Sequence, residues 1–154
     1  MTTLKRYLIP FLILISASAF NVAEAAEAKM LSTKNSNVNI RSGPGTNHEV
    51  LWQAGKYCPL EILKEEGKWY HFKDFEQDEG WIHQSLVAHI PSLVVNVDEA
   101  NVRSGPGGKY SLVFKAMKGV SFKVLKTKGD WVKVKHEDGD TGWIFRSLLW
   151  GYTK

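Results

Sequence analysis

Five histidines and one cysteine are the side chains best suited to acid–base, nucleophilic or metal chemistry in this 154-residue chain. They are His48, His71, His83, His89, His136 and Cys58. A zinc centre needs ligand pairs at short spacing, with a second pair to complete it. No two of these histidines stand in such an arrangement. A single thiol forms no intramolecular disulfide. No metal site, cofactor site or catalytic constellation is therefore expected. There is also no phosphate-cradling loop, because the glycines do not match a nucleotide fingerprint.

Recognition chemistry is better represented. Six tryptophans are many for this length. They accompany one pentapeptide that occurs twice: Arg41-Ser42-Gly43-Pro44-Gly45 and Arg103-Ser104-Gly105-Pro106-Gly107. The offset of 62 (103 minus 41) then holds without a gap. It carries Trp69 onto Trp131, Gly80-Trp81-Ile82 onto Gly142-Trp143-Ile144, and Ser85-Leu86 onto Ser147-Leu148. Between residues 38–86 and 100–148, 19 of 49 positions are identical, which marks a tandem duplication. The four histidines inside the repeat align with Tyr110, Lys133, Phe145 and Asp74. None recurs, so they read as structural or solvated. Cys58 aligns with Val120 and reads as a small buried hydrophobe.

The elements that carry these residues follow from alternation and turn chemistry. Pro44 and Pro106 fix φ near −65°, and the flanking glycines are free to take positive φ. The pentapeptide is thus a pre-shaped turn that neither helix nor strand can cross. Trp131-Val132-Lys133-Val134-Lys135 alternates cleanly. Val132 and Val134 point inward; Trp131, Lys133 and Lys135 point outward. In the first copy Tyr70 and Phe72 take the inner places, with Trp69 and His71 opposite. Leu60/Ile62 and Phe122/Val124 share one face of a neighbouring strand. Asp138-Gly139 marks a tight hairpin. No long stretch has helical periodicity. The reading is all-β: two small barrels of about five short strands each, at 29–89 and 91–151, joined by the short linker Ala88–Pro91.

Residues 1–25 have the charged, apolar and small-residue order of a secretory signal peptide, with an A-x-A cleavage site after Ala25. The apolar core is too short for a permanent span, so the mature protein is expected to be exported, periplasmic or secreted, with no membrane span after signal cleavage; the alternative is an uncleaved N-terminal anchor. Export disfavours nucleic acid as a partner. The net charge of +4 is uneven. Residues 29–90 carry 7 basic and 8 acidic side chains (−1), and residues 91–154 carry 11 and 6 (+5).

The combination of Asn-Val/Ile-Arg-Ser-Gly-Pro-Gly, a mid-unit Gly-x-Trp, and Gly-Trp-Ile with Ser-Leu behind it resembles bacterial SH3 (SH3b) domains, twice over. The resemblance implies tandem SH3-like β-barrels in an exported protein. It also implies a non-enzymatic module that binds cell-wall peptidoglycan or its peptides; the alternative is an envelope protein as partner. The chain lacks the Ala-Leu-Tyr-Asp-Tyr segment and paired tryptophans of eukaryotic SH3 domains, so proline-rich ligands are not implied. Cell-wall peptidases of the NlpC/P60 type join such barrels to a Cys/His catalytic domain; here the only cysteine lies inside a barrel.

Several residues are candidates for a ligand groove beside each turn. They are Trp52, Trp69 and His48 in the first copy, and Phe114, Trp131, Tyr110 and Lys133 in the second, with Lys109 and Lys115 adding positive charge. Trp52 and Phe114 read equally as barrel core. Arg41 and Arg103 either contact a carboxylate ligand or pin the turn by bonding carbonyls. Trp81 and Trp143 follow glycines and read as packing residues, each ring lying over its glycine.

Overall fold

A computed structural model describes residues 28–154. The signal-peptide reading lies outside these residues. Among them, no helix is long and apolar enough to cross a membrane.

The first copy contributes seven strands: β1 (Met30–Thr33), β2 (Val38–Arg41), β3 (Val50–Ala54), β4 (Pro59–Glu66), β5 (Trp69–Lys73), β6 (Glu79–His83) and β7 (Val87–Ala88). The second repeats them as β8 (Ser92–Val95), β9 (Glu99–Arg103), β10 (Leu112–Met117), β11 (Ser121–Lys128), β12 (Trp131–Lys135), β13 (Thr141–Phe145) and β14 (Leu149–Tyr152). A single 3₁₀ turn precedes the last strand of each set, at Gln84–Leu86 and Arg146–Leu148. Each set has seven strands in place of the expected five, the last of them following Ser85-Leu86 or Ser147-Leu148. The chain turns there and returns to pair with the first strand.

Each set forms one antiparallel sheet, in the orders β3-β2-β6-β5-β4-β1-β7 and β10-β9-β13-β12-β11-β8-β14. The sheet curls on itself. Val38 on β2 and Val87 on β7 lie near opposite ends of the strand order, yet both join one core with Ile40, Leu60, Phe72 and Ile82. The second core gathers Leu93, Val95, Val102, Phe122, Val132, Val134 and Ile144 around the same plan. The alternation in β12 is realised: Val132 and Val134 are buried, while Trp131 and Lys133 are half-exposed. A register shift in β4 at Leu63, and in β11 at Leu125, leaves each leucine exposed. Such bulges bend a strand sharply, which an eight-residue strand needs in order to wrap so small a core.

The two curled sheets touch. The Ser32 hydroxyl lies 2.9 Å from the Ile90 carbonyl oxygen and 3.0 Å from the Tyr152 hydroxyl, and it is hydrogen-bonded to Ser92. Ile90 N–H donates to the Tyr152 hydroxyl at 3.0 Å. Ser32 and Ser92 are fully buried, so every polar group here needs its partner. Lys118 and Glu76 pair across the units at 2.8 Å.

Candidate ligand-binding site

The RSGPG turns are held by their own arginines. Arg41 Nη1 donates to the carbonyls of His48 (2.8 Å) and Thr46 (3.1 Å), and Arg103 Nη1 donates to that of Tyr110 (2.9 Å). Both arginines thus make the turn-pinning bonds. Pro44 and Pro106 sit between glycines that do not adopt positive φ. Gly43 and Gly105 are needed for space. The His48 ring lies where a Cβ on Gly43 would come within 2.5 Å of it, and the Tyr110 ring covers Gly105 and Gly107. Gly45 in turn faces Asn47. His48 and Tyr110 therefore serve as covers of their own turns, with one edge toward solvent.

The structure separates the aromatics that the sequence placed in one groove. Trp52 is paired with Ile40, whose side chain is buried, so its ring also points inward. It meets Phe72 edge-on at 6.4 Å and packs near Gly80. Phe114 is paired with Val102 and also packs inward, its ring tilted against Phe122 at 6.5 Å. Trp69 is paired with His83 on the outer face, and the rings meet edge-on at 5.2 Å. Trp131 is paired with Phe145, ring to ring at 5.4 Å.

Trp69 lines a groove of about 350 Å³ with Arg41 and Thr46 of the turn, Asn37, His83 and Leu86. This recess joins four segments: the turn between β1 and β2, the RSGPG turn, the hairpin edge at Trp69 and the 3₁₀ turn after β6. His83, Asn37 and Leu86 escaped the sequence reading, because only strand pairing brings them to Trp69. The His83 ring is fixed by Ser85, its Nδ1 lying 2.7 Å from the serine oxygen.

Trp81 and Trp143 do not lie over the glycines before them. Gly80 and Gly142 face inward, against Ile40 and Val102, and the tryptophans face outward. Trp81 stacks on His71 at 4.9 Å, with the Lys64 ammonium over its ring. Trp143 is buried on that face, with Lys126 over it and Lys133 as its strand partner. Lys133 therefore stands beside Trp143 on the open sheet, whereas Lys115 is engaged with Glu99 at 2.6 Å.

A second recess, of about 530 Å³, lies between the units. Trp52, Cys58, Asp74 and Phe75 line it from one side, and Ser121, His136 and Glu137 from the other. Burial, and next the Asp74 charge, push the Cys58 thiol up to about 12, so the sulfur is a poor nucleophile. Burial also raises the Asp74 carboxyl, whose oxygen accepts from the backbone N–H groups of Glu76 (2.9 Å) and Asp78 (3.0 Å). Among the described residues no three His, Cys, Asp or Glu side chains gather as metal ligands.

The two-unit division agrees with a family match. A bacterial SH3 domain model matches residues 34–88 and again 96–151. The chain is 26% identical over 155 residues to a Bacillus subtilis (strain 168) protein named as an N-acetylmuramoyl-L-alanine amidase, YrvJ. The match covers 91% of this chain and 30% of that protein. A Staphylococcus epidermidis protein named as a cell wall amidase, LytH, is 38% identical over 48 residues, 30% of this chain and 16% of its own length. Among solved structures, NlpC1 from Trichomonas vaginalis aligns over 91% of this chain and 50% of its own, at 17% identity and a TM-score of 0.34. With two matched copies spanning most of its length, the chain belongs to the bacterial SH3 domain family.

Proposed function

We propose that this protein is a non-enzymatic, exported module that binds the cell wall, holding peptidoglycan or its peptides through its tandem units. The observation that carries this reading is the groove around Trp69. It sets a half-exposed indole beside the rigid RSGPG turn, with Arg41 and His83 at its wall. An aromatic floor with a few fixed polar groups suits a short peptide or a sugar residue. Relatives named as wall amidases support the same assignment, and the chain covers a small share of their length. In this reading the amidase activity belongs to the parts of those proteins that this chain does not match. Two modest sites on one chain gain by avidity on a repetitive polymer.

The test is sedimentation of the purified protein with isolated sacculi. Retention in the pellet at low salt, lost when Trp69 and Trp131 are both replaced by alanine, is the expected result. A protein that stays in the supernatant, together with one abundant protein adduct on cross-linking in cells, would overturn it in favour of an envelope-protein partner.

A further inference from the structure

The outer faces of the two sheets use the same positions for different charges. In the first unit, strand pairing aligns three rows across β4, β5 and β6: Glu61–Lys73–Glu79, Lys64–His71–Trp81 and Glu66–Trp69–His83. Arg41 extends the middle row. Its three acids match its three cations, and Lys73–Glu61, Lys64–Glu66 and His71–Glu79 are paired at 3.4, 3.1 and 3.0 Å. In the second unit the same rows read Lys123–Lys135–Thr141, Lys126–Lys133–Trp143 and Lys128–Trp131–Phe145, again with Arg103 on the middle row. Every acid has gone. Glu61 and Glu66 correspond to Lys123 and Lys128, and Glu79 to Thr141.

Six of the eleven cations in residues 91–154 therefore lie on three adjacent rows that hold no carboxylate. None of their five lysines is in an ion pair among the described residues. Lys123 faces Lys135, and Lys126 faces Lys133, directly across the ladder. Like charges so placed oppose folding. The acids of this unit lie off the rows, among them Asp130 in one turn, Glu137, Asp138 and Asp140 in the hairpin beyond β12, and Glu99 on the outer side of β9, where it is engaged by Lys115 at 2.6 Å. A fold that tolerates this repulsion without internal compensation leaves the compensation to a partner.

We propose that this face of the second unit is a binding surface for an acidic polysaccharide, one bearing repeated carboxylates or phosphates. Adjacent strands stand about 4.8 Å apart, so three rows of cations make a field too broad for one small anion. Trp131 and Phe145 close the row at one edge and offer ring surface for a sugar. The choice of a glycan over other polyanions rests on the wall-binding reading; the basic face itself does not. The two units thus divide recognition: a neutral face beside a groove in the first, and a polyanion face in the second.

The experiment measures binding of the purified protein to polygalacturonate, with neutral dextran, single-stranded DNA and phosphatidylglycerol-containing vesicles in parallel. The wild type should bind polygalacturonate at low salt and release it as salt rises, because exposed charges are screened. The variant K123E/K128E, which installs the first unit's own residues, should bind at least tenfold more weakly. The reciprocal E61K/E66K should gain affinity, which decides the matter even if K123E/K128E does not fold. Unchanged affinity in both variants overturns the proposal. Tenfold tighter binding to DNA or to vesicles than to polygalacturonate overturns the polysaccharide assignment. Sacculus sedimentation is scored separately: sacculus binding retained without polygalacturonate binding sinks this proposal alone, and the reverse sinks the wall reading.

Discussion

The His48 ring lies against Gly43 so closely that a Cβ there would come within 2.5 Å of its Cε1 and Nδ1. The Tyr110 ring covers Gly105 in the second unit in the same way. Gly43→Ala and Gly105→Ala should each destabilise their unit by about 1–3 kcal/mol, the usual cost of forcing an extra methyl into a packed site. Removing the ring should recover most of the loss. Denaturant melts of Gly105→Ala, Tyr110→Ser and the double variant give the coupling directly. Additive losses would show that the ring is not what excludes the methyl.

Trp131 stands half-exposed on the outer face, against Phe145 and beside Lys128. Trp131→Ala is expected to weaken retention on sacculi severalfold, with little change in far-UV spectrum or melting temperature. Unfolding of the second unit in this variant would make the ring a core residue and remove it from the site.

Gln77 has φ of +69°, and its counterpart in the second unit is Gly139 at +103°. Tyr57, at +62°, likewise corresponds to Gly119. A side chain in the left-handed region costs about 1–2 kcal/mol, partly offset by the entropy that glycine loses on folding. Gln77→Gly should stabilise the first unit by about 0.5–1 kcal/mol. A urea midpoint that falls would show that the weak bond from Gln77 to the Asp74 carbonyl, at 3.5 Å, outweighs the strain.

Burial, ahead of the Asp74 charge, pushes the Cys58 thiol from 9.0 up to about 12. Its folded pKa is raised, so the contribution to stability is complete below pH 9.0 and is lost as pH climbs toward about 12. Alkylation of the native protein at pH 8 should be much slower than that of the unfolded chain, and Cys58→Val should flatten the alkaline loss of stability. Rapid alkylation of the native protein at pH 8 would contradict the burial argument.

Tyr152 ties the two units through its hydroxyl, which accepts from Ile90 N–H at 3.0 Å beside buried Ser32. Ile90 N–H also lies 3.0 Å from the Ala88 carbonyl, so Tyr152→Phe removes one of two acceptors together with the cross-unit bond to Ser32, at a cost of about 0.5–1.5 kcal/mol. Hydrogen exchange at Ile90 should quicken, while amides in β5 and β12 keep their protection. Unchanged exchange at Ile90 would mean that the Ala88 carbonyl alone holds it.

What the chain specifies by itself is local. The 62-residue repeat, the Gly- and Pro-rich turns and the period of two in Trp131–Lys135 settle the strands, and they settle which side of β5 and β12 is buried. They also fix the family, because those features are the motif. Tertiary structure decided the rest. Trp52 turns inward because it is paired with buried Ile40, and outward-facing Trp69 meets His83 because β5 pairs with β6; neither register can be read from either strand alone. The bulges at Leu63 and Leu125 reset the pairing, so Lys64 and Lys126, not the leucines, stand opposite His71 and Lys133. The lysine rows of the second unit exist only once β11, β12, β13 and β9 lie side by side. Alternation is a property of consecutive residues, whereas register and curvature depend on partners distant in sequence, and a binding surface is built from those partners.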